Sequence, residues 1–292
     1  MLLTIQHETR YSFDHGVSHG LQRLRLRPKS THGQQIVDWT TELQGAQPEA
    51  EYDDQHQNHV ELVSLEPGAR EVVVTCKGTV RTADNSGVVG EHTGHFPLWC
   101  FLRATPLTRA GLKVRALVAG IDADRKQPLE FLHKLSEAVR AAVDYVPGTT
   151  DVKTSAEQAL AAGRGVCQDQ AHVFISAGRL VDIPTRYVGG YLKMDGQVEQ
   201  DAGHGWAEAY VQGLGWVGFD VANAICPDER YVRVASGCDY SDAAPFTGIA
   251  TGTGESRLSV HLSVDENRVG QQQQSQNGQR QSQGGPQQPG GD

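Results

Sequence analysis

The sequence lacks the features that mark a disulfide-rich secreted protein, a zinc-ribbon protein or a membrane protein. Its five cysteines are odd in number and widely spaced, and none forms a Cys-x-x-Cys pair. No apolar run approaches the ~18–20 residues that span a bilayer, and the first residues alternate and turn polar without a basic leader. We therefore expect free thiols, no bound metal, no signal peptide and a cytoplasmic location.

Positive charge is also scarce. Lys and Arg total 26 against 35 Asp and Glu, a formal net charge of −9, which argues against nucleic acid or an anionic membrane as a partner. No loop has the acidic spacing of an EF-hand, so calcium is not implied. One basic cluster alternates with leucines, and we interpret it as the solvent-facing side of a strand. Its members are Arg23, Arg25, Arg27 and Lys29.

The spacing of apolar residues divides the chain into three parts. Over residues 1–115 the spacing is two and turn residues separate the runs, which predicts a β-sandwich-like domain. Over residues 116–266 helical spacing comes first and alternation follows, which predicts an α+β core with helices packed on an antiparallel sheet. Residues 267–292 are dominated by Gln and Gly and predict a disordered tail.

Helix signals are clear in the middle of the chain. Pro128 opens an amphipathic pattern of about fifteen residues. Thr154 and Glu157 have the spacing of a capping box for a short second helix. Gly163 is placed to end that helix. A third, mostly apolar helix begins near Cys167 and has to stop before the Ile183-Pro184 pair.

The loop Gly163-Arg164-Gly165-Val166-Cys167 places a thiol at the start of this third helix. Unpaired backbone N–H groups and the helix dipole favour a thiolate at such a position. The thiolate is the nucleophilic form of cysteine, and the same N–H groups can hold a developing oxyanion. The alternative interpretation is a buried cysteine that acts as a small apolar side chain.

The segment from His204 to Asp220 offers a base and an acid on one hairpin. A three-residue turn at residues 211–213 places His204 directly opposite Asp220, within reach of a hydrogen bond. A four-residue loop would place Ala207 there instead. Taken singly, His204 also fits a core histidine and Asp220 a strand-end cap; together with Cys167 they predict a catalytic triad. The other pairs in this register are Tyr210 with Leu214 and Glu208 with Trp216.

A set of short motifs runs through the chain in a fixed order. They are Gly163–Asp169, Ile183–Tyr191, His204-x-Trp206-x-Glu208, Gly215–Asp220 and Asp239–Asp242, preceded by Arg23–Pro28 and Asn58. With these motifs the chain resembles the bacterial transglutaminase-like family, in which a β-rich domain precedes a papain-like core. The resemblance implies that Cys167 is the nucleophile, His204 the base and Asp220 the residue that orients it.

The resemblance also implies acyl transfer on a peptide or carboxamide carbonyl, with a peptide or protein as partner and no cofactor. The N–H of Cys167 would hold the oxyanion together with a second donor, for which Tyr145 is one candidate. Water or an amine can resolve the thioester, so a cysteine peptidase or amidase, which the resemblance favours, and a protein-glutamine transglutaminase both stay open. A non-catalytic binding module is the third alternative. It is motivated by the departures near His204, where Gly203 and Gly205 replace the Ser and Ala that relatives commonly have, beside Val221 in place of their Pro. The oligomeric state is not predicted.

Overall fold

The computed structural model describes residues 1–266, and the predicted disordered tail lies outside them. Strands dominate, in agreement with the predicted α+β class. No helix within residues 1–266 is long and apolar enough to cross a membrane. The strands are β1 (Leu2–Phe13), β2 (His19–Leu24), β3 (Gln34–Gln44), β4 (Ala46–Asp53), β5 (His59–Leu65), β6 (Glu71–Thr82), β7 (Val88–Gly90), β8 (Asp144–Tyr145), β9 (Arg164–Gly165), β10 (Thr185–Leu192), β11 (Glu199–Gln200), β12 (His204–Val211), β13 (Gly215–Phe219), β14 (Tyr231–Gly237), β15 (Phe246–Thr251) and β16 (Ser256–Glu266). The helices are α1 (Leu112–Ala119), α2 (Pro128–Ala142), α3 (Ala156–Ala162), α4 (Cys167–Leu180) and α5 (Tyr240–Ala243), with a 3₁₀ turn at Leu98–Leu102.

The first part of the chain forms the predicted β-sandwich-like arrangement. One sheet has the order β11-β16-β1-β6-β3, and the other has the order β15-β2-β5-β4. Alternate residues of these strands point into a shared apolar cluster. The cluster comprises Phe13, Val17, Leu24, Leu26, Ala46, Val63, Leu65, Val72, Val74 and Cys76.

Strand pairing crosses the expected boundary near residue 115 in both directions. β16 pairs with β1 and β15 pairs with β2, so two C-terminal strands complete the N-terminal sheets. In return, β7 pairs with β13 at the edge of the other sheet. The division of the chain at residues 115 and 266 stays a prediction, and the sheets on either side of it are interleaved.

The core sheet has the order β14-β10-β12-β13-β7, and every pair within it is antiparallel. Helix α4 packs across β12, where Ala207 and Ala209 leave room for it. Phe174 and Ile175 of α4 are fully buried, and each such side chain stabilises the fold by about 1.5–3 kcal/mol. The sheet and α4 therefore form a rigid support for the residues at the start of α4 and of β12.

The structure confirms one predicted helix start and corrects another. α2 begins at Pro128 as predicted, and Gly163 ends α3 with φ 65°. The capping box of α3 is Ser155 with Gln158, however, one residue later than Thr154 with Glu157. Glu157 instead accepts hydrogen bonds from the backbone N–H groups of Gly111 (2.7 Å) and Val114 (2.8 Å). Its carboxylate thus caps α1, a helix that the sequence pattern did not indicate.

The interpretation of the basic cluster as a solvent-facing strand side is wrong for two of its four members. β2 ends at Leu24, so the alternation does not continue past it. Arg25 is buried and its Nε donates to Asp54 Oδ2 at 3.1 Å. Lys29 donates to Asn58 Oδ1 at 2.9 Å, and only Arg23 and Arg27 are exposed.

Candidate active site

Cys167 is the first residue of α4 and is half-buried. The start of this helix is held by Asp169, whose Oδ2 accepts hydrogen bonds from the Val166 N–H (2.8 Å) and from Thr150 Oγ1 (2.7 Å). A glycine is needed at position 165, because a Cβ there would lie 2.7 Å from the Asp169 side chain. The glycine-flanked loop therefore lets the carboxylate reach back and fix the backbone that carries the thiol.

His204 begins β12, and Asp220 directly follows β13. His204 Nε2 lies 2.6 Å from Asp220 Oδ2, and Asp220 is fully buried. The same oxygen accepts hydrogen bonds from the Tyr231 hydroxyl (2.6 Å) and from Asn223 Nδ2 (2.7 Å). Three donors therefore hold the carboxylate in place.

The hairpin that joins these two residues differs from the predicted register. Its three-residue loop is 212–214, so Tyr210 pairs with Trp216 and not with Leu214, and Glu208 pairs with Gly218 and not with Trp216. The slip moves each pair by two residues, which leaves every side chain on its predicted face. His204 and Asp220 are thus not directly opposed, yet they share a face and form their hydrogen bond.

The cause of the slip lies at Gly215. This residue has φ 80°, and a Cβ on it would lie 2.1 Å from the carbonyl oxygen of Gly90. Both strand pairing with β7 and the positive φ therefore require glycine here. The sequence showed Gly213 as the turn residue but gave no sign that β7 would approach Gly215.

The pair of His204 and Asp220 is ionised at neutral pH. Burial disfavours the charged imidazole, but hydrogen bonds and charge interactions with Asp220 and Cys167 outweigh it and raise the pKa of His204 to about 10. Burial likewise disfavours the Asp220 carboxylate, but His204, Tyr231 and Asn223 lower the pKa of Asp220. Because Nε2 of His204 is hydrogen-bonded to Asp220, Nδ1 is the ring nitrogen available to exchange a proton with the Cys167 thiol.

Aromatic rings enclose this pair. The Trp206 ring lies parallel to the His204 ring with centroids 6.2 Å apart, and Tyr231 meets both rings edge-on. The Tyr145 side chain is about half exposed. Its partial burial, followed by the charges of Cys167 and Asp220, raises the pKa of its hydroxyl. The Tyr145 hydroxyl is therefore protonated and stays a candidate oxyanion donor.

Tyr187 is a site residue that the sequence reasoning missed. It is buried on β10, and burial together with the nearby Cys167 raises its pKa well above the usual value. A Cβ at position 205 would lie 2.1 Å from the Tyr187 hydroxyl oxygen. The unusual Gly205 beside His204 was the only signal of this close approach.

One group of residues within the described chain has the chemistry of metal ligands. His56, Cys238 and Asp242 place one ligand atom each within 4.8 Å of the others. The Asp242 carboxylate already accepts hydrogen bonds from His56 Nε2 (3.2 Å) and from the Cys238 N–H (2.9 Å). The Asp242 carboxylate is therefore already paired within this group, and the group shares no member with Cys167, His204 and Asp220. Sequence spacing did not reveal it because His56 is far from the other two along the chain.

A thiol at a helix start, facing a His–Asp pair on an antiparallel sheet, is the arrangement of a family of thiol-dependent enzymes. Residues 115–221 match the transglutaminase-like superfamily, and residues 3–81 match the bacterial transglutaminase-like N-terminal region. The chain belongs to this bacterial transglutaminase-like family.

Two relatives and one solved structure extend the comparison. The chain is 30% identical over 280 residues to the uncharacterised protein ML0607 of Mycobacterium leprae, covering 90% of this chain and 98% of the relative. It is 34% identical over 151 residues to Rv2569c of Mycobacterium tuberculosis, covering 48% of each. A crystal structure of a candidate cysteine protease from Cytophaga hutchinsonii has a TM-score of 0.73 at 20% identity, with 92% of each chain covered. That likeness shows a common fold.

Proposed function

We propose that this protein is a thiol-dependent acyl-transfer enzyme that cleaves peptide or carboxamide bonds, a cysteine peptidase or amidase. The observation that carries the proposal is the geometry of three side chains: His204 Nε2 lies 2.6 Å from the buried Asp220 Oδ2, and the same ring interacts with Cys167 at the start of α4. In the proposed roles Cys167 is the nucleophile, His204 the base and acid, and Asp220 the residue that orients the ring.

In the first half of the reaction the Cys167 sulfur attacks the carbonyl carbon and forms a C–S bond. The carbonyl electron pair moves to oxygen, giving a tetrahedral oxyanion. When this intermediate collapses, the C–N bond breaks and His204 donates its proton to the departing amine. The products are the free amine and a thioester on Cys167.

In the second half a water molecule replaces the amine. His204, now neutral, takes a proton from the water as its oxygen attacks the thioester carbonyl. Collapse of the second oxyanion releases the carboxylic acid and returns the Cys167 thiolate with protonated His204. Asp220 stays ionised throughout and stabilises the imidazolium at each stage.

Both oxyanions need hydrogen-bond donors. The backbone N–H of Cys167, the first residue of α4, is one of the orphan donors at a helix start and makes no hydrogen bond within residues 1–266. The Tyr145 hydroxyl is the proposed second donor. Loss of one such donor typically lowers kcat by about 10²–10³-fold.

Hydrolysis is preferred over transamidation because the Cytophaga hutchinsonii neighbour, alike over most of its length, is described as a candidate cysteine protease. Transamidation uses the same thioester with an amine in place of water, so it is the second candidate. The proposal also places the reaction in the cytoplasm, since the five cysteines are all free thiols.

Mass spectrometry of a mixed library of Gln-containing peptides tests the proposal. The wild-type protein is compared with Cys167→Ala and with Cys226→Ala, which removes another half-buried free thiol. Each protein is incubated with and without a primary amine. Hydrolysed or deamidated peptides that require Cys167 but not Cys226 support the hydrolase, and amine adducts support the transglutaminase.

A thiol-labelling experiment addresses the non-catalytic alternative. A thiolate-selective alkylating reagent at mildly acidic pH should modify Cys167 much faster than Cys226, because an imidazolium stabilises the thiolate. His204→Gln should remove this difference. Equal, slow labelling of both thiols together with no peptide product would contradict the enzyme and favour a binding module.

A further inference from the structure

The strand face that carries His204 and Trp206 continues into a buried cluster of charges. Glu208, two residues beyond Trp206, accepts a hydrogen bond from Arg186 Nε at 2.6 Å. It also accepts from Arg233 Nε at 2.8 Å and from Arg233 Nη2 at 3.1 Å. One carboxylate is therefore shared by two guanidinium groups from β10 and β14, the next two strands on the same side of β12.

A lysine side chain lies beside this pair without a carboxylate of its own. Lys29 Nζ donates only to neutral acceptors: the His56 carbonyl (3.0 Å), Asn58 Oδ1 (2.9 Å) and Ser236 Oγ (3.3 Å). Burial first, then the charges of Arg233 and Arg186, lower the pKa of Lys29 well below its usual value. Because this lowering disfavours the charged lysine, the excess positive charge rests on the two guanidinium groups, which share one carboxylate in a region of low solvent access. An uncompensated charge is costly there.

The two arginines also keep donors unused. Nη1 and Nη2 of Arg186, and Nη1 of Arg233, make no hydrogen bond to any residue that the structure describes. The Arg186 guanidinium lies 3.8 Å from the centroid of the Trp216 ring, which fixes its plane. Its fork of N–H groups is therefore oriented in advance of any ligand.

Both guanidinium groups and Lys29 line one cleft of about 530 Å³ between the N-terminal strands and the core sheet. His32 and His92 line it too, and Glu91 is its one further carboxylate. The Glu91 side chain is exposed at the edge and accepts a hydrogen bond from the Tyr210 hydroxyl at 3.0 Å. The cleft is thus open, cationic inside and large enough for a small molecule.

We propose that this cleft binds the oxyanion of a small molecule, a carboxylate or phosphate group, on Arg186 and Arg233. Planar guanidinium groups with free N–H pairs match such oxyanions bidentately. The site is separate from the triad, because Glu208 lies four residues along β12 from His204, about 13 Å at the usual strand rise. The anion compensates the positive charge that Glu208 alone does not balance.

Calorimetric titration with inorganic phosphate, citrate and acetate tests the site, with chloride holding the ionic strength constant. We expect saturable binding of at least one anion to the wild-type protein. Arg186→Gln should weaken it by about tenfold or more, the usual effect of losing a hydrogen bond to a charged group. The matched control Arg10→Gln removes a partly exposed arginine that is likewise paired with carboxylates, Glu8 and Glu71, and should bind like the wild type.

The arms of this experiment separate the possible results. A preference for phosphate over citrate identifies a phosphate site, and the reverse identifies a carboxylate site. If Arg186→Gln does not fold, Arg186→Lys replaces it, because lysine keeps a positive charge beside Glu208 and lacks the fork of N–H groups. No saturable binding to the wild type, or unchanged binding in the folded variant, would overturn the proposal. Binding should persist in Cys167→Ala, so the outcome is independent of the catalytic proposal.

Discussion

At the scale of single residues, the charge of His204 is set by its neighbours. Its ring is buried, yet its contacts with Asp220 and Cys167 hold the proton well above neutral pH. Asp220 in turn depends on Tyr231 and Asn223, which come from beyond the hairpin. The protonated ring is therefore a property of the assembled fold and not of the hairpin alone.

This charge makes a contribution to stability that depends on pH. The folded-state pKa of His204, about 10, lies above its ordinary value of 6.5, so the folded state holds the proton more tightly than the unfolded state. The stabilisation is complete below pH 6.5 and is lost as the pH rises towards 10. Urea unfolding of the wild type should show this decline, and His204→Gln should show a shallower one. His19→Gln, which replaces an exposed histidine, should keep the wild-type slope; identical slopes in all three proteins would refute this account.

Gly205 is the residue whose lack of a side chain leaves room for the Tyr187 hydroxyl beside β12. Gly205→Ala would force a Cβ to within 2.1 Å of that buried hydroxyl oxygen, so the Tyr187 ring or the start of β12 has to shift. We expect a loss of about 1–3 kcal/mol of unfolding free energy and a roughly 100-fold fall in kcat/KM through displacement of His204. Gly189 pairs with Gly205 across the strands, and a Cβ there meets atoms at 3.7 Å. Gly189→Ala is therefore the control, and a similar loss in both variants would contradict the steric explanation.

At the scale of secondary-structure elements, Glu208 joins three strands. Arg186 on β10 and Arg233 on β14 both bind its carboxylate on β12. Burial alone would raise the pKa of Glu208, but the two arginines outweigh it and lower that pKa to about 2. The stabilisation from this ion is therefore present above the ordinary value of 4.5 and is lost as the pH falls towards 2.

Neutralising this carboxylate should weaken the whole sheet. We expect Glu208→Gln to lower the free energy of unfolding by about 3–5 kcal/mol, because it leaves two buried guanidinium groups without a counter-ion. Glu91→Gln, which removes an exposed carboxylate, should cost less than about 1 kcal/mol. Urea titrations at neutral pH measure both. Comparable losses in the two variants would show that the buried pairing contributes little.

The elements differ in how far the sequence predicts them. The bounds of β10, the start of α2 and the position of α4 follow from local signals: a proline, a glycine and a regular apolar period. Helix α1 does not follow from local signals, because its N-terminus is capped by Glu157 from a distant segment. Arg25 and Lys29 were misassigned for a similar reason, because their partners lie in segments that no local pattern connects to them.

The residues of the candidate site also differ in how far the sequence predicts them. Cys167, His204 and Asp220 belong to motifs whose spacing carries chemical meaning, so the sequence alone proposes them. Tyr187 lies within the Ile183–Tyr191 motif, but nothing in the sequence gives it a chemical role, because its place depends on how β10 meets β12. The predicted hairpin loop lies one residue too early because β7, far away in the chain, approaches Gly215.

At the scale of the whole molecule, the two ends of the described chain share one sandwich. β16 lies against β1 over eleven residue pairs, and β15 lies against β2 over six. Leu3 and Ile5 of β1 pack in the same apolar cluster as Phe174 of α4. One sheet of the sandwich thus packs on the core through a shared apolar cluster, whatever the boundary between them.

This interleaving predicts the behaviour of separated fragments. Residues 116–266 alone carry β15 and β16 without their partner strands, and residues 1–115 alone leave the edges of β1 and β2 open. Exposed edges promote aggregation, so each fragment should be insoluble when expressed alone. Co-expression should restore soluble protein, and residues 1–266 as one chain are the control. Two independently soluble, folded fragments would support a simple boundary at residue 115.

The return of β15 and β16 also fixes the order of events during protein synthesis. A nascent chain exposes β1 and β2 first, long before the ribosome reaches the strands that cover their edges. Domains generally fold as units, N-terminal first, during translation. Here the N-terminal sheets cannot be completed until β15 and β16 have been synthesised. A chain released early by a premature stop codon after Asp220 would carry every residue of the proposed triad and still present two open sheet edges, a clear target for chaperones and proteases.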